Sequence, residues 1–236
     1  MITIYLDLDG TILDVSGKYW HLHKSIMQLL DGPSLDIESY WQLRRQGLGI
    51  ADIWKGSPKS QLKHYETLWL SQIEEPAYLR YDRLQPMAAA TLGRLATRCR
   101  LVLTTMRHNP TTLLSQLESL ELLPFFESWL CRGDLSEASS ARENLIRRDS
   151  KFDKRKSIVV GDTESEITAG RRLNIPSVAV ASGIRSRELL ASLQPTFLVD
   201  SMADLPALLE EEARLPDAEY DSTRSRPAGS RHYSRR

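Results

Sequence analysis

Short, almost wholly apolar segments recur along the chain. They lie at Ile2–Leu6, Leu101–Leu103, Ile158–Val160, Val178–Val180 and Phe197–Val199. Because these segments are continuously apolar rather than alternating, they are typical of strands that are covered on both faces of a sheet. Helical patterns separate them, including Met87–Ala96 and Thr111–Leu122. This alternation predicts an α/β fold with a doubly wound, Rossmann-like parallel sheet.

One long region interrupts the alternation. Between about residues 11 and 83 there is no convincing strand, and helical patterns occur instead at Lys18–Leu30, Ile37–Gln46 and Gln61–Ile73. This region holds four of the five tryptophans, which could provide an apolar core of its own. We therefore expect an inserted all-helical domain over 14–83 and an α/β core over 1–13 plus 84–214. A lengthened crossover packed on the main core is the alternative.

The end of the chain differs in composition. Residues 217–236 have no large aliphatic side chain and are rich in Arg, Ser, Pro and Gly. Such a segment cannot bury enough apolar surface to offset its ordering entropy, so we expect a disordered tail over 215–236. Its arginines could contact RNA or an acidic partner, but a solvated tail is the simpler interpretation.

Charge and cysteine content narrow the class of protein. The 236 residues carry 31 basic and 31 acidic side chains, so bulk charge gives no reason to expect a nucleic-acid partner. Two cysteines exclude a disulfide framework and fit a reducing compartment. No uncharged stretch approaches the ~20 residues of a membrane helix. We therefore expect a soluble, cytoplasmic protein with no membrane partner.

Two carboxylates follow the first predicted strand directly. Asp7 and Asp9 lie in the run Asp-Leu-Asp-Gly-Thr, at the end where open parallel sheets bind ligands. Acids so close together repel each other, and this arrangement favours a bound cation. Gly10 permits a tight turn after them. A strand that simply ends in an Asp-Gly turn is the alternative.

Two further strand ends carry polar groups. Asp162 follows the predicted strand Ile158–Val160, and Glu166 lies one helical turn later. Hard oxygen ligands of this kind suit Mg²⁺, which binds one or two carboxylates and keeps water or phosphate oxygens as its other ligands. Thr104 and Thr105 end the strand at Leu101–Leu103, where a hydroxyl could donate to a phosphate oxygen.

Taken in order, these motifs resemble the haloacid dehalogenase superfamily. The matching features are DLDGT, a strand ending in Thr, a basic residue, and GDTxxE, and they span about residues 2 to 200. The resemblance implies a phosphatase similar to phosphoglycolate phosphatases, with the inserted helices as a cap domain. It also implies Mg²⁺ as the cofactor and a small phosphorylated metabolite as the substrate.

The resemblance assigns roles to the acids. Asp7 matches the nucleophile that forms an aspartyl-phosphate, and Asp9 matches the general acid and base. Mg²⁺ would be held by Asp7, the backbone carbonyl of Asp9, and Asp162, with support from Glu166. An acid at position 9 argues against dehalogenation, because the dehalogenases lack one there.

The phosphate-binding residues depart from the family pattern. Thr105 is the expected phosphate-binding hydroxyl, with Thr104 as the alternative, and Met106 stands where Asn is frequent. Arg142 occupies the place of the family lysine, and its positive charge is spread over a planar guanidinium rather than held on one compact ammonium group. A phosphosugar mutase and a catalytically weak regulator or scaffold of the same fold therefore stay open beside the Mg²⁺-dependent phosphomonoesterase.

The predicted cap contains weaker candidates. Arg44 and Arg45 could face the substrate, but a helix end with solvated arginines is the favoured interpretation. Lys18 or Lys24 as a Schiff-base residue is disfavoured. His21 and His23 are two positions apart in a predicted helix, so they face different directions and form no metal pair.

Overall fold

The sheet predicted from the sequence is present and parallel. A computed structural model describes residues 1–133 and 142–212, and the predicted tail over 215–236 lies outside the described residues. The main strands are β1 (Ile2–Leu6), β4 (Cys99–Thr105), β5 (Ser128–Cys131), β6 (Ser157–Gly161), β7 (Ser177–Val180) and β8 (Phe197–Val199). In this part of the chain they form one sheet in the order β5-β4-β1-β6-β7-β8, with every neighbouring pair parallel.

Helices fill the connections between the strands. Those inserted after β1 are α1 (Ser16–Leu29), α2 (Ile37–Arg45), α3 (Ile50–Ile53), α4 (Lys59–Gln72) and α5 (Pro76–Leu79). Those that follow are α6 (Ala88–Ala96), α7 (Pro110–Ser119), α8 (Arg142–Arg147), α9 (Glu164–Leu173), α10 (Arg187–Ser192) and α11 (Leu205–Glu212). None of the helices described is long and apolar enough to cross a membrane.

Apolar side chains cover both faces of the sheet. Ile4 and Leu6 of β1 belong to the larger buried cluster, whereas Tyr5 packs in a second cluster with Val102 and Val159. Alternate residues of a strand point to opposite faces, so a continuously apolar strand is buried on both sides. This packing is the physical reason for the unbroken apolar runs.

The inserted helices, here called the helical block (residues 16–79), contain a core of their own. Leu22, Ile26 and Met27 of α1 are buried against Tyr65 of α4, and Trp69 packs on the same cluster. The expected aromatic contribution to this core is confirmed.

Two short strands and one edge strand escaped prediction. β2 (Leu13–Asp14) and β3 (Arg83–Leu84) pair antiparallel where the chain leaves and re-enters the core. Two-residue strands are too short to show a period. β5 lies at the sheet edge, where Trp129 is 42% exposed, and its apolar run is only three residues long.

Candidate functional site

The two acidic strand ends meet at one edge of the sheet. β1 and β6 are neighbours in register, with Leu6 opposite Val160, so the next residues of each strand lie side by side. Asp7 is buried, and its backbone N–H donates to the carbonyl of Val160 at 2.9 Å. Asp162 is also fully buried. The expectation that Asp7 and Asp162 share one site is consistent with this geometry.

Asp162 lies in a cradle of backbone and hydroxyl donors. Its Oδ1 accepts from the Thr11 hydroxyl at 3.0 Å, and its Oδ2 accepts from the Ile184 N–H at 2.6 Å. A Cβ on Gly10 or on Gly183 would lie 2.1 or 2.2 Å from Oδ2, respectively. Gly10 also has a φ of +95°, which other residues rarely adopt. Both glycines therefore allow the chain to close around this carboxylate.

Arg142, the first residue of α8, connects the acids. Its Nη2 lies 2.9 Å from Asp7 Oδ1, and its Nε lies 2.5 Å from Glu166 Oε1. Its Nη1 donates to the backbone carbonyl of Thr104 at 2.6 Å. The guanidinium side chain is only 4% exposed. The basic residue chosen from the sequence thus reaches Asp7, and Arg142, Asp7, Asp162 and Glu166 together are called the Asp7 cluster below.

The contacts favour Thr104 over Thr105 as the hydroxyl beside Asp7. The register pairs Leu6 with Leu103, so Thr104 comes opposite Asp7 across the β1–β4 pair. Arg142 also donates to the Thr104 hydroxyl at 3.2 Å. The hydroxyl of Thr105 instead accepts from the backbone N–H of Arg107 at 3.3 Å. Successive strand residues point to opposite faces, and the sequence alone did not show which face carried the site.

Glu166 holds other protein groups. Its Oε2 accepts from the N–H and the hydroxyl of Thr163 at 3.1 and 2.8 Å, which closes a capping box at the start of α9. Its other oxygen faces Arg142. Glu166 is therefore placed to orient Arg142, and its predicted support of a metal would be indirect.

Asp9 is clamped by two cations. Arg107 donates from Nε and Nη2 to the two carboxylate oxygens at 2.8 and 2.7 Å, and Lys18 Nζ donates at 2.8 Å. Asp82 in turn accepts from Lys18 at 2.9 Å. Burial opposes ionisation, but the charges of Arg107 and Lys18 hold the pKa of Asp9 well below its ordinary value. These four residues are called the Asp9 cluster.

Three members of the Asp9 cluster were missed by sequence reasoning. Lys18 lies in α1 at the start of the helical block, Asp82 lies 64 positions later just after the block, and Arg107 follows β4. Their meeting depends on how the block returns to the core, and no spacing in the sequence encodes that. Lys18 is buried and bound to two acids, so the disfavoured Schiff-base role gains no support from the structure.

The charges of the two clusters determine where a cation fits. When ionised, the acids of the Asp9 cluster are matched by Lys18 and Arg107, whereas the Asp7 cluster has three acids against Arg142. Burial and the neighbouring acids raise the pKa of Asp7 well above its ordinary value and that of Asp162 to about 7. One divalent cation would balance this excess of negative charge.

The donor set suits Mg²⁺ better than a metal held wholly by side chains. Among the described residues, no group of three or more His, Cys, Asp or Glu side chains is arranged as a metal centre. Mg²⁺ needs only one or two carboxylates and completes its shell with carbonyl, water and phosphate oxygens. Asp7 and Asp162 provide two such carboxylates.

The helical block contacts the core on both sides of the site. Arg45 at the end of α2 donates to the carbonyls of Gly183 and Ala181 at 2.5 and 2.9 Å. Glu74, after α4, accepts from the N–H of His108 at 2.7 Å. The expectation of a solvated Arg45 is therefore wrong, because the charged helix end meets free carbonyls of the loop after β7.

The histidines of α1 contact aromatic side chains. His23 is fully buried, stacks on Tyr40 and bonds Tyr65 through Nδ1 at 2.9 Å. His21 stacks on Tyr81 at 3.7 Å between ring centres. The two rings face different directions, as their spacing predicted.

Comparisons with known proteins show which families and folds the chain is similar to. A family model described as haloacid dehalogenase-like hydrolase matches residues 138–205. A pyrophosphatase, PpaX, from Oceanobacillus iheyensis is 23% identical over 215 residues, covering 86% of this chain and 94% of the relative.

Two solved structures share the fold. A haloacid dehalogenase-like hydrolase from Streptococcus pneumoniae superimposes with a TM-score of 0.75 at 20% identity, covering 89% of this chain and 98% of the other. A haloacid dehalogenase-type hydrolase from Bacillus subtilis, in a structure bound to magnesium, has a TM-score of 0.61 at 16% identity, covering 88% and 98%.

Proposed function

We propose that the chain is a haloacid dehalogenase-like hydrolase of the phosphatase type, and that it hydrolyses a small phosphomonoester through a phosphoryl intermediate on Asp7. The observation that carries the proposal is the pairing of a buried carboxylate at the end of β1 with Arg142 at 2.9 Å. A carboxylate nucleophile divides one difficult displacement into two easier ones.

In the first step, an oxygen of Asp7 forms a bond to phosphorus while the bond to the leaving oxygen breaks. Arg142 offsets the negative charge of both the nucleophile and the phosphoryl oxygens. The Thr104 hydroxyl lies beside the same guanidinium and can donate to a phosphoryl oxygen. Each of these groups is held by buried contacts before the substrate arrives, so little reorganisation is needed.

In the second step, water attacks phosphorus and releases phosphate from Asp7. Asp9 accepts the proton of that water. Arg107 and Lys18 keep Asp9 in the ionised form that can accept a proton, and their charges also make it a weaker base. Returning that proton to solvent or to product completes the cycle.

Mg²⁺ would be held by the carboxylates of Asp7 and Asp162 and by the backbone carbonyl of Asp9. When bound, it supplies positive charge against the phosphoryl oxygens. Glu166 contributes through Arg142, which it orients.

The helical block serves as a cap domain in this proposal, with 14–83 inserted into a core of 1–13 plus 84–214. Arg45 and Glu74 join the block to the loops after β7 and β4. A cap closed in this way excludes water from the reacting centre.

The proposal is tested by hydrolysis of p-nitrophenyl phosphate and of inorganic pyrophosphate, with and without Mg²⁺. Asp7→Asn is the test variant, and Asp31→Asn, an exposed acid of the helical block, is the matched control. We expect turnover that needs Mg²⁺, persists in the control and is lost in Asp7→Asn. Metal-dependent transfer of the phosphoryl group to a second hydroxyl would indicate the mutase reaction. No turnover in a folded, Mg²⁺-binding protein would favour the scaffold.

A further inference from the structure

A cavity of about 240 Å³ lies within the helical block, between α2, α3 and α4. Aromatic rings from two helices form much of its wall, namely Tyr40, Tyr65 and Trp69, and Arg44 contributes a cation. None of these residues belongs to the Asp7 or the Asp9 cluster.

Arg44 is the unusual member of this wall. Its Nε is buried without a hydrogen-bond partner, and its Nη1 reaches the carbonyl of Leu48 only at 3.4 Å. Within 1–133 and 142–212 no acid lies within 4.0 Å of its guanidinium, and Glu66 on the cavity wall is exposed. A buried charged donor without an acceptor is costly, so the site favours an anionic group that accepts from Arg44.

The remaining wall suits a flat ring. Tyr65 and Trp69 are stacked, with ring centres 5.9 Å apart and planes inclined by 20°. The Tyr65 hydroxyl is engaged by His23. Aromatic faces arranged in this way bind planar rings through offset stacking and edge contacts.

The ring of Tyr19 lies between the cavity wall and the Asp9 cluster. Trp69 meets Tyr19 edge to face at 5.1 Å, and the guanidinium of Arg44 lies 5.8 Å from the centre of the same Tyr19 ring. The Nζ of Lys18 lies 5.9 Å from the centre of the same ring, and it donates a hydrogen bond to Asp9. A single tyrosine ring thus links the cavity wall to the Asp9 cluster.

We propose that this cavity binds the part of the substrate that is released on hydrolysis, and that this part is an aromatic ring bearing an anionic substituent held by Arg44. The assignment to a substrate rests on the proposed function. The binding of an aromatic anion does not, and it can be measured without turnover.

The test titrates the wild-type chain with 4-hydroxybenzoate, phenol and cyclohexanecarboxylate and follows tryptophan fluorescence, since Trp69 lines the cavity. Arg44→Gln is the test variant. Arg80→Gln is the matched control, because Arg80 is an exposed arginine of the same region that also lies over a tyrosine ring, that of Tyr81. Arg44→Lys keeps the charge, and circular dichroism checks that each variant is folded.

We expect 4-hydroxybenzoate to bind more tightly than either analogue. Arg44→Gln should weaken its binding by roughly tenfold or more, which is the usual worth of a charged hydrogen bond, and leave phenol unchanged. Arg80→Gln should bind like wild type, and Arg44→Lys should fall between wild type and Arg44→Gln.

Three outcomes would overturn the inference: no binding of the aromatic anion, equal binding by Arg44→Gln and Arg80→Gln, or binding of cyclohexanecarboxylate as tight as that of 4-hydroxybenzoate. A kinetic arm compares 4-carboxyphenyl phosphate with phenyl phosphate. Arg44-dependent binding without hydrolysis of either ester would support the cavity and contradict the phosphatase, so the two failures can be told apart.

Discussion

At the scale of single residues, Arg142 stands where the haloacid dehalogenase family pattern has a lysine. A guanidinium makes more contacts at that position than the compact charge of a lysine could. Its three nitrogens contact Asp7, Glu166 and the carbonyl of Thr104. A lysine has one nitrogen and cannot span these positions at once. Arg142 therefore fixes Asp7 relative to the end of β4 as well as balancing its charge.

Replacing Arg142 separates its charge from its shape. We expect Arg142→Met to lower kcat/KM by at least about 100-fold, because a donor aimed at developing negative charge is lost. Arg142→Lys should lower it by only about tenfold, since one charged contact remains. Steady-state kinetics and thermal melting measure both effects. Equal activity of the two variants, with both folded, would show that the positive charge of Arg142 is not used.

The sequence predicted Asp7, Asp9 and Asp162 and the cation Arg142, and it missed the residues that surround Asp9. Asp7 and Asp162 could be placed because each directly follows a recognisable buried strand, and neighbouring parallel strands end at the same edge. Lys18 and Asp82 could not, because their contact is created when the helical block returns to the core. The choice between Thr104 and Thr105 depended on strand facing, which one residue of register decides.

At the scale of elements, helix α1 carries a buried titratable group away from the site. Burial, aided by the charge of Arg44, lowers the pKa of His23 to about 4. The same imidazole titrates near 6.5 in an unfolded chain. Between these values the unfolded state binds more protons than the folded state, so stability falls as the pH decreases from about 6.5 towards 4.

This difference predicts an acid-sensitive helical block. Lowering the pH from about 7.5 to about 5 should cost roughly 2 kcal/mol of the free energy of unfolding through His23. His23→Phe keeps a ring against Tyr40 and cannot titrate. Its free energy of unfolding should therefore fall by roughly 2 kcal/mol less than that of the wild type over the same pH interval. Urea unfolding at both pH values measures it. Parallel pH dependence in the variant and the wild type would contradict the assignment.

The elements themselves were predictable where they are long or buried. β1 and β8 have the predicted bounds, and α7 begins at Pro110, with Asn109 as its cap. β5 has only four residues, of which Trp129–Cys131 are apolar, and so short a run cannot be told from a loop by its period.

At the scale of the whole molecule, specific hydrogen bonds join the helical block to the core. Arg45 provides two hydrogen bonds to the loop after β7, and Ser186 of that region returns one to the carbonyl of Arg45. Hydrogen bonds of this kind can form and break together when the helical block moves relative to the core.

Arg45→Gln should therefore loosen this junction. We expect amide hydrogen exchange at residues 181–186 to quicken by roughly tenfold, as is typical when one or two hydrogen bonds are lost. The strands of the sheet should exchange as in wild type. Mass spectrometry of peptides after hydrogen–deuterium exchange measures these rates, with Arg80→Gln as the control. Unchanged exchange would mean that Arg45 does not hold the block in place.

The proposed function requires that Asp7 carries the phosphoryl group during turnover. The most direct measurement is a rapid acid quench of the working enzyme with Mg²⁺ and p-nitrophenyl phosphate, followed by peptide mass spectrometry. We expect one phosphoryl group on the peptide that contains Asp7 and none on that peptide in Asp7→Asn. Hydroxylamine should remove the group, because it cleaves acyl phosphates. Continued turnover by Asp7→Asn, or a phosphoryl group on another residue, would contradict it.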